Sequence, residues 1–240
     1  MQTELRVDDL SRMLDVSGLT IRRDLAALAG NAAIIRTHGG CIAAGRAALE
    51  TEYHQKVAQN FELKQSIGKA AAAEVASGQV LLINDGSTTY HMAAHLEGRG
   101  PVTVYTNSLA MLTDLSRARD VAVYILGGRY NPDLYSLQGS LAEQVLETLK
   151  IDLCFIGADA VGLDGQCRVT TPEEASLTRS MLRRASRRIL LADRTKVEAE
   201  GPGAAYGTLA DFNLWITTPG MAPEHLETLR RFVTIKEATT

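Results

Sequence analysis

Cysteine is sparse: the 240-residue chain has three, Cys41, Cys154 and Cys167, scattered and with neither CxxC nor paired-histidine spacing. An odd, dispersed set excludes a disulfide scaffold and argues against a zinc site, so no metal and no cofactor is expected and a reducing cytoplasm fits. The N-terminus has no apolar signal-like segment and no run of about 18 apolar residues occurs, so neither a signal peptide nor a membrane span is expected. A global excess of basic charge is missing as well: the formal net charge is −3, and any contact with nucleic acid has to come from a local patch. Internal repeats and low-complexity stretches are absent. What is present is an ordinary globular composition, 45% hydrophobic and 22% charged, with length for a small domain and a medium one.

The first 45 residues carry two short helical patterns and then a glycine-punctuated segment. Asp8 is placed to cap a helix with Leu10, Met13 and Leu14 at helical spacing, Asp15-Val16-Ser17 makes the turn, and Ser17 caps a second helix. On that second helix Ile21, Leu25 and Leu28 form one apolar stripe, which leaves Thr20, Arg22, Arg23 and Ala27 facing outward. Two short helices and a tight turn suit a helix-turn-helix, because a helix enters the major groove with its first turns against base edges. From Ser17 to Arg46 there are four arginines (Arg22, Arg23, Arg36, Arg46) against one acid, Asp24, a positive patch inside an acidic chain. The stretch from Ile34 to Ile42 reads as a hairpin with a glycine turn, the shape of a wing that touches phosphates or the minor groove. A solvated basic helix in some other α-helical unit would carry the same arginine pair, so the pair alone does not decide.

Residues 46–62 read as a polar linker, and from about residue 63 short apolar runs alternate with amphipathic stretches. Strands are expected at Val80–Asn84, Val102–Thr106, Val121–Leu126, Leu153–Gly157, Ile189–Ala192, Leu214–Thr217 and Phe232–Ile235. Helices are expected at Lys64–Ala76, Thr88–Leu96, Ser108–Arg117, Ser140–Leu149 and Pro172–Arg187. Continuous rather than alternating apolar runs suit strands buried on both faces, so the fold class is α/β, a mainly parallel sheet with helices on both sides.

Ligands of such sheets sit beyond the carboxyl ends of the strands. Asp85-Gly86-Ser87-Thr88-Thr89 follows the first strand, and a glycine turn with hydroxyls at a helix start is an anion cradle suited to phosphate; plain helix capping by Ser and Thr is the bland alternative. Thr106-Asn107-Ser108, Gly127-Gly128 and Gly157-Ala158-Asp159 close three further strands, and Glu174 and Lys196 lie on later segments that can reach the same crevice. Glu174 could equally be a first-turn partner of its own helix dipole, and Lys196 a surface lysine.

Val16-Ser17-x-x-Thr20-Ile21-Arg22-Arg23-Asp24-Leu25 followed by Arg36-x-His38-Gly39-Gly40 resembles the signature of the DeoR family of repressors. The segments LLINDGSTT, VYTNS, ILGGR, LQGSLAE, FIGADAV, TTPEEA and LADRTK follow in the order of that family's effector domain, so the likeness covers nearly the whole chain. The resemblance implies a winged helix-turn-helix domain over residues 1–45 and a phosphosugar-sensing domain over residues 63–240, similar in fold to ribose-5-phosphate isomerase and glucosamine-6-phosphate deaminase. It implies DNA contacts by Ser17, Thr20, Arg22 and Arg23 with Arg36 and His38 supporting the wing. It also implies that Asp85 to Thr89, Thr106 to Ser108, Gly127, Gly128, Asp159 and Lys196 border the effector. Family members carry another helix ahead of Leu5, so the reader is expected to be incomplete by one helix. The partners expected are a double-stranded DNA operator, a phosphorylated sugar and a second copy of the chain in a homo-oligomer.

An enzyme of the same fold is the rival reading. The isomerases carry an Asp-Gly-Ala-Asp turn and a Lys-Gly-Gly-Gly segment, where this chain has Ile156-Gly157-Ala158-Asp159 and Arg168-Val169-Thr170-Thr171-Pro172. With one acid and the lysine gone, binding can survive but fast isomerisation cannot, so no catalytic residue is assigned. A scaffold without a ligand would leave the strand-end turns unexplained.

Overall fold

The computed structural model describes residues 5–30, 34–36, 40–43, 51–199 and 203–239, and the chain divides into two units, residues 1–55 and 56–240. In the first unit strand β1 (Leu5–Arg6) leads directly into helix α1 (Val7–Leu14), and Arg6 rather than Asp8 holds the capping position. Asp8 and Asp9 sit instead in the first turn, where unpaired N–H groups favour negative charge. Asp15, in a left-handed conformation with φ 51°, ends α1. Ser17 opens α2 (Gly18–Gly30): its Oγ accepts the Thr20 N–H at 3.1 Å and its carbonyl accepts the Ile21 N–H at 3.0 Å.

Strands β2 (Ile34–Arg36) and β3 (Gly40–Ala43) pair antiparallel with Arg36 opposite Cys41, and β1 joins the far side of β3. The hairpin tip, His38 included, lies outside the described residues, as does the Arg36 side chain. Val7, Ile21, Leu25 and Cys41 are buried together and Leu10 packs against them. Met13 and Leu14, in phase with Leu10 on paper, are 74% and 61% exposed, because α1 is only eight residues long and turns its N-terminal end inward.

The chain continues through α3 (Thr51–Ala58), α4 (Phe61–Ala72), β4 (Val80–Ile83), α5 (Ser87–Tyr90), β5 (Val102–Thr106), α6 (Leu112–Leu115) and β6 (Val121–Ile125). A hairpin of β7 (Arg129–Asn131) and β8 (Ser136–Gln138) precedes α7 (Ser140–Glu147), β9 (Ile151–Gly157), β10 (Ala160–Val161) and β11 (Gln166–Val169). Then come α8 (Pro172–Arg184), β12 (Ala185–Leu191), β13 (Ala204–Thr208), β14 (Leu214–Thr217), α9 (Pro223–Leu229) and β15 (Ile235–Glu237).

Seven of these strands run parallel in one sheet, in the order β15-β14-β12-β9-β4-β5-β6. Residues alternate between its faces. Leu81, Ile83, Leu153, Phe155, Ile189 and Leu191 pack with Ile67 and Ala71 of α4 and Leu115 of α6. Leu82, Cys154, Ile156, Leu190 and Trp215 pack with α7, α8 and Leu229 of α9. Both faces are therefore covered, which is why the strands read as unbroken apolar runs, and each fully buried Leu or Ile contributes about 1.5–3 kcal/mol.

Four features depart from the periodicity. The expected helix Thr88–Leu96 is the four-residue α5 followed by a 3-10 turn at Ala93–His95, and Ser108–Arg117 keeps only α6. The last strand is Ile235–Glu237 rather than Phe232–Ile235, with Phe232 38% exposed. A small antiparallel sheet, β10-β11-β13, stands beside the large one.

Candidate functional site

The chain winds outward from β4 through β5 to β6 on one side and from β9 through β12 and β14 to β15 on the other, so its direction reverses between β4 and β9. A crevice opens at such a point, outside the carboxyl ends of the two strands. Asn84 organises it. Its Oδ1 accepts from the Gly157 N–H at 3.1 Å, and the Thr89 hydroxyl donates to its carbonyl at 2.8 Å, tying the loop after β4 to the end of β9. Gly86 and Gly157 face each other so closely that a Cβ on Gly86 would lie 3.2 Å from the Thr89 hydroxyl and 3.5 Å from the Gly157 Cα. The cleft between them is lined by Asn84, Gly86, Ser87, Thr88, Gly157, Ala158, Asp159, Val169 and Glu174.

A cation stands beside this cleft, bonded to the Ser87 that lines it. Lys64 of α4 is buried, and its Nζ donates to the Ser87 hydroxyl at 3.0 Å and to the carbonyl of Lys56. Burial, with the nearby charge of Lys196 second, lowers its pKa to about 8. The sequence reading passed over Lys64, although it stands in helical phase with the buried Ile67 and Ala71, where a lysine is out of place.

Acids line the cleft or stand near it. Glu174 of α8 is pushed up to about 9 by burial and then by the charges of Asp85 and Asp159. Burial likewise raises Asp85, with the charge of Asp159 adding to it. Asp85 Oδ2 and Glu174 Oε2 are buried without a hydrogen-bond partner, whereas Asp159 Oδ2 accepts from the Thr170 hydroxyl at 2.9 Å. Asp193, also passed over, is fully buried; its Oδ1 accepts from the Thr195 N–H at 2.9 Å, and its Oδ2 has no partner.

The remaining expected positions fall into two groups. Gly86, Ser87, Thr88, Asp159 and Glu174 border the cleft, and Asp85 and Lys196 stand close enough to perturb its ionisable groups. Thr89 turns inward to brace the loop. Thr106, Asn107 and Ser108 are buried at the end of β5, where the Leu137 N–H donates to the Asn107 carbonyl at 2.8 Å and Ser108 bridges to Ser136. Gly128 lies against the same hairpin: its φ is 135° and a Cβ there would meet the Gln138 carbonyl at 2.3 Å, so this position demands glycine, whereas at Gly127 a Cβ would meet nothing within 4 Å. Asn107 Oδ1, Ser108 Oγ, Ser136 Oγ and Gln138 Nε2 are buried and unpartnered, and Asp85 sits beside Asn107 and Ser136.

In the first unit Ser17, Thr20, Arg22 and Arg23 all lie exposed on α2 or at its start. The Ser17 and Thr20 hydroxyls are 2.8 Å apart, and no carboxylate of the described residues lies within ion-pair reach of Arg22 or Arg23. Among the described residues no group of three His, Cys, Asp or Glu is placed to hold a metal ion, and no helix is long and apolar enough to cross a membrane.

A family model described as the DeoR-like helix-turn-helix domain matches residues 1–46, and one described as the DeoR C terminal sensor domain matches residues 59–218. The chain belongs to the DeoR family of transcriptional regulators. A DeoR-family relative from Haloferax volcanii, "HTH-type transcriptional regulator GlpR", is 34% identical over 213 residues, 88% of this chain and 82% of that protein. The "Putative aga operon transcriptional repressor" of Escherichia coli O157:H7 is 29% identical over 232 residues, 96% of this chain and 86% of its own. Among solved structures, eIF2B beta from Chaetomium thermophilum shares the fold at TM-score 0.50 and 14% identity, over 71% of this chain and 53% of that one. Ribose 5-phosphate isomerase A from Neisseria gonorrhoeae matches at TM-score 0.43 and 18% identity, over 58% and 54%. This DeoR-family chain is thus a DNA-binding regulator with a separate sensor domain on an α/β, parallel-sheet fold.

Proposed function

We propose that this protein represses a carbohydrate catabolic operon and that a phosphorylated sugar, bound in the cleft between β4 and β9, modulates its hold on the operator. The observation that carries the reading is the polarity of the cleft. Lys64 with Ser87 and Lys196 suits the phosphate, while Asp85, Asp159 and Glu174 suit the hydroxyls of a polyol. Because α5 has only four residues, the cradle rests on the buried lysine and the loop rather than on a long helix dipole. The relatives named as regulators of sugar-related operons point the same way.

The cleft is half open and its recess is about 20 Å³, room for little more than one water-sized group, so a sugar phosphate fits fully inside it only when the surrounding loops part. Binding is then tied to a change of conformation, and an effector shifts DNA affinity by as much as it prefers one arrangement. The DNA face is Ser17, Thr20, Arg22 and Arg23, with Arg36 and His38 on the wing, and the working form is a cytoplasmic homo-oligomer gripping a repeated or palindromic operator.

The perturbed Glu174 gives the isomerase reading one observation of its own. A base has to be ionised, and a carboxyl with its pKa near 9 is held neutral at pH 7, while Asp159 is engaged by Thr170. A sensor accounts for the site better. The test is thermal unfolding with a panel of sugars and their phosphates: at 100 times its dissociation constant the effector raises the midpoint by roughly 5–11 °C. No shift with any phosphosugar removes the reading, and turnover lost in Asp159→Asn replaces it with the enzyme.

A further inference from the structure

We propose a second anion site in the sensor unit, separate from the cleft between β4 and β9, that takes a small phosphate-bearing molecule. It is an open surface pocket of about 260 Å³ lined by Arg179, Leu182, Arg183, Arg188, Tyr206 and Asp211. The chain passes from α8 into β12 without a loop, so the ten residues from Arg179 to Arg188 carry five arginines, of which Arg179, Arg183 and Arg188 line the cavity. Arg187 is committed elsewhere, to Glu74 at 2.8 Å. The three arginines that line the cavity have no carboxylate oxygen of the described residues within ion-pair distance.

The one acid present, Asp211, makes no ion pair with them. Asp211 directs Oδ2 to the Thr208 N–H at 2.7 Å and to the Thr208 hydroxyl at 3.3 Å, as part of a capping box. Arg179 is steadied by the carbonyl of Ala205 at 2.8 Å and Arg183 by the Ser180 hydroxyl at 3.0 Å, which orients both guanidinium groups while leaving further N–H donors unused. Arg188 Nε is buried without any partner. Guanidinium forks placed around one cavity without an anion repel one another and leave a donor unsatisfied, and tetrahedral phosphate oxygens relieve both by paired, charge-assisted hydrogen bonds. The volume is just under the roughly 300–1,000 Å³ of drug-sized sites, which suits a small molecule.

Tyr206 makes this cavity a neighbour of the cleft. Its ring lines the arginine cavity, and its hydroxyl donates to the Gly157 carbonyl at 3.0 Å, in the segment that lines the cleft. An occupant pressing on the ring is one side chain away from the effector.

The experiment is calorimetric titration of the full chain with inorganic phosphate and, in parallel, with glycerol phosphate, in the wild type, in Arg183→Gln with Arg188→Gln, and in Lys64→Met. Phosphate binding weakened at least about tenfold in the arginine variant and retained in Lys64→Met is the expected result; binding of one titrant over the other separates free phosphate from a phosphomonoester. Should the double variant fail to fold, Arg183→Gln alone, at an exposed position, is expected to weaken binding about threefold. Unchanged affinity in the arginine variants, or binding lost only in Lys64→Met, overturns the proposal. So does an altered oligomer mass with unchanged phosphate affinity, which makes the cavity an interface between copies. The sensor reading stands or falls on the sugar-phosphate thermal shift, so the two can fail independently.

Discussion

In the second unit Leu81, Leu82 and Ile83 are each fully buried at consecutive positions of one strand, while in the first unit the described core is Val7, Ile21, Leu25 and Cys41, and Met13, Leu14 and Leu19 stand 61–76% exposed. One unit is a sheet covered on both faces, with surplus burial to hold strained turns and buried charges such as Lys64 and Glu174. In the other the described helix residues are mostly exposed, so Arg22 and Arg23 remain available and the described core is small. Sensing needs a rigid frame around a costly polar site, whereas reading a groove needs an exposed face at a modest depth of core.

That contrast can be broken most forcefully in the core. Phe155→Ala, in the middle of β9, is expected to destabilise the sensor by about 3–5 kcal/mol in urea unfolding. Ile21→Ala removes one of the four described core residues of the reader and is expected to abolish its folding while the sensor transition stays in place, which hydrogen exchange resolves unit by unit. A single shared loss in both experiments would show that the units do not fold separately.

Next in size is the DNA face. Arg22→Ala with Arg23→Ala is expected to weaken operator binding on the order of 100-fold, at about 1–3 kcal/mol per contact, with phosphosugar affinity unchanged in the same preparation.

The polar cleft gives smaller, pH-dependent effects. Lys64 is charged below its pKa of about 8, so phosphosugar affinity is expected to fall as pH rises beyond 8, and in Lys64→Met to be weaker and to lose the part of that fall centred near 8, leaving the change that Glu174 brings near 9. Glu174 has its folded pKa raised above the ordinary value of 4.5, so its burial penalises the native state increasingly as pH climbs from 4.5 toward 9. Glu174→Gln is therefore expected to stabilise the free protein by about 1–3 kcal/mol near neutral pH and by little below 4.5, read from melting curves against pH. Leu19→Ser, on the exposed side of α2, is expected to change stability by no more than about 0.5 kcal/mol.

Much of the site was legible before any coordinates, for a physical reason: glycine and hydroxyl turns directly after apolar runs have few other uses. Gly86, Ser87, Thr88 and Asp159 illustrate that. Lys64 was not legible because it reaches the cleft from a helix whose sequence neighbours look like ordinary core, and Asn84 because a polar residue closing a strand looks like simple punctuation. Thr89, by contrast, carries the same hydroxyl as its neighbours yet turns inward, a choice made by the carbonyls of Asn84 and Gly86 that the chain brings within 2.8 Å.

The sequence by itself determined the family, the helix pair with its arginines, and six of the seven strands of the large sheet, since local periodicity and motif spacing are properties of neighbouring residues. Only the tertiary structure decided that β4 and β9 lie side by side. It also decided that Lys64 meets Ser87, and that Asp85 and Glu174 share one buried space. Strand order, desolvation and the closeness of like charges depend on residues far apart in the chain, and those are fixed by packing rather than by any pattern a window of sequence contains.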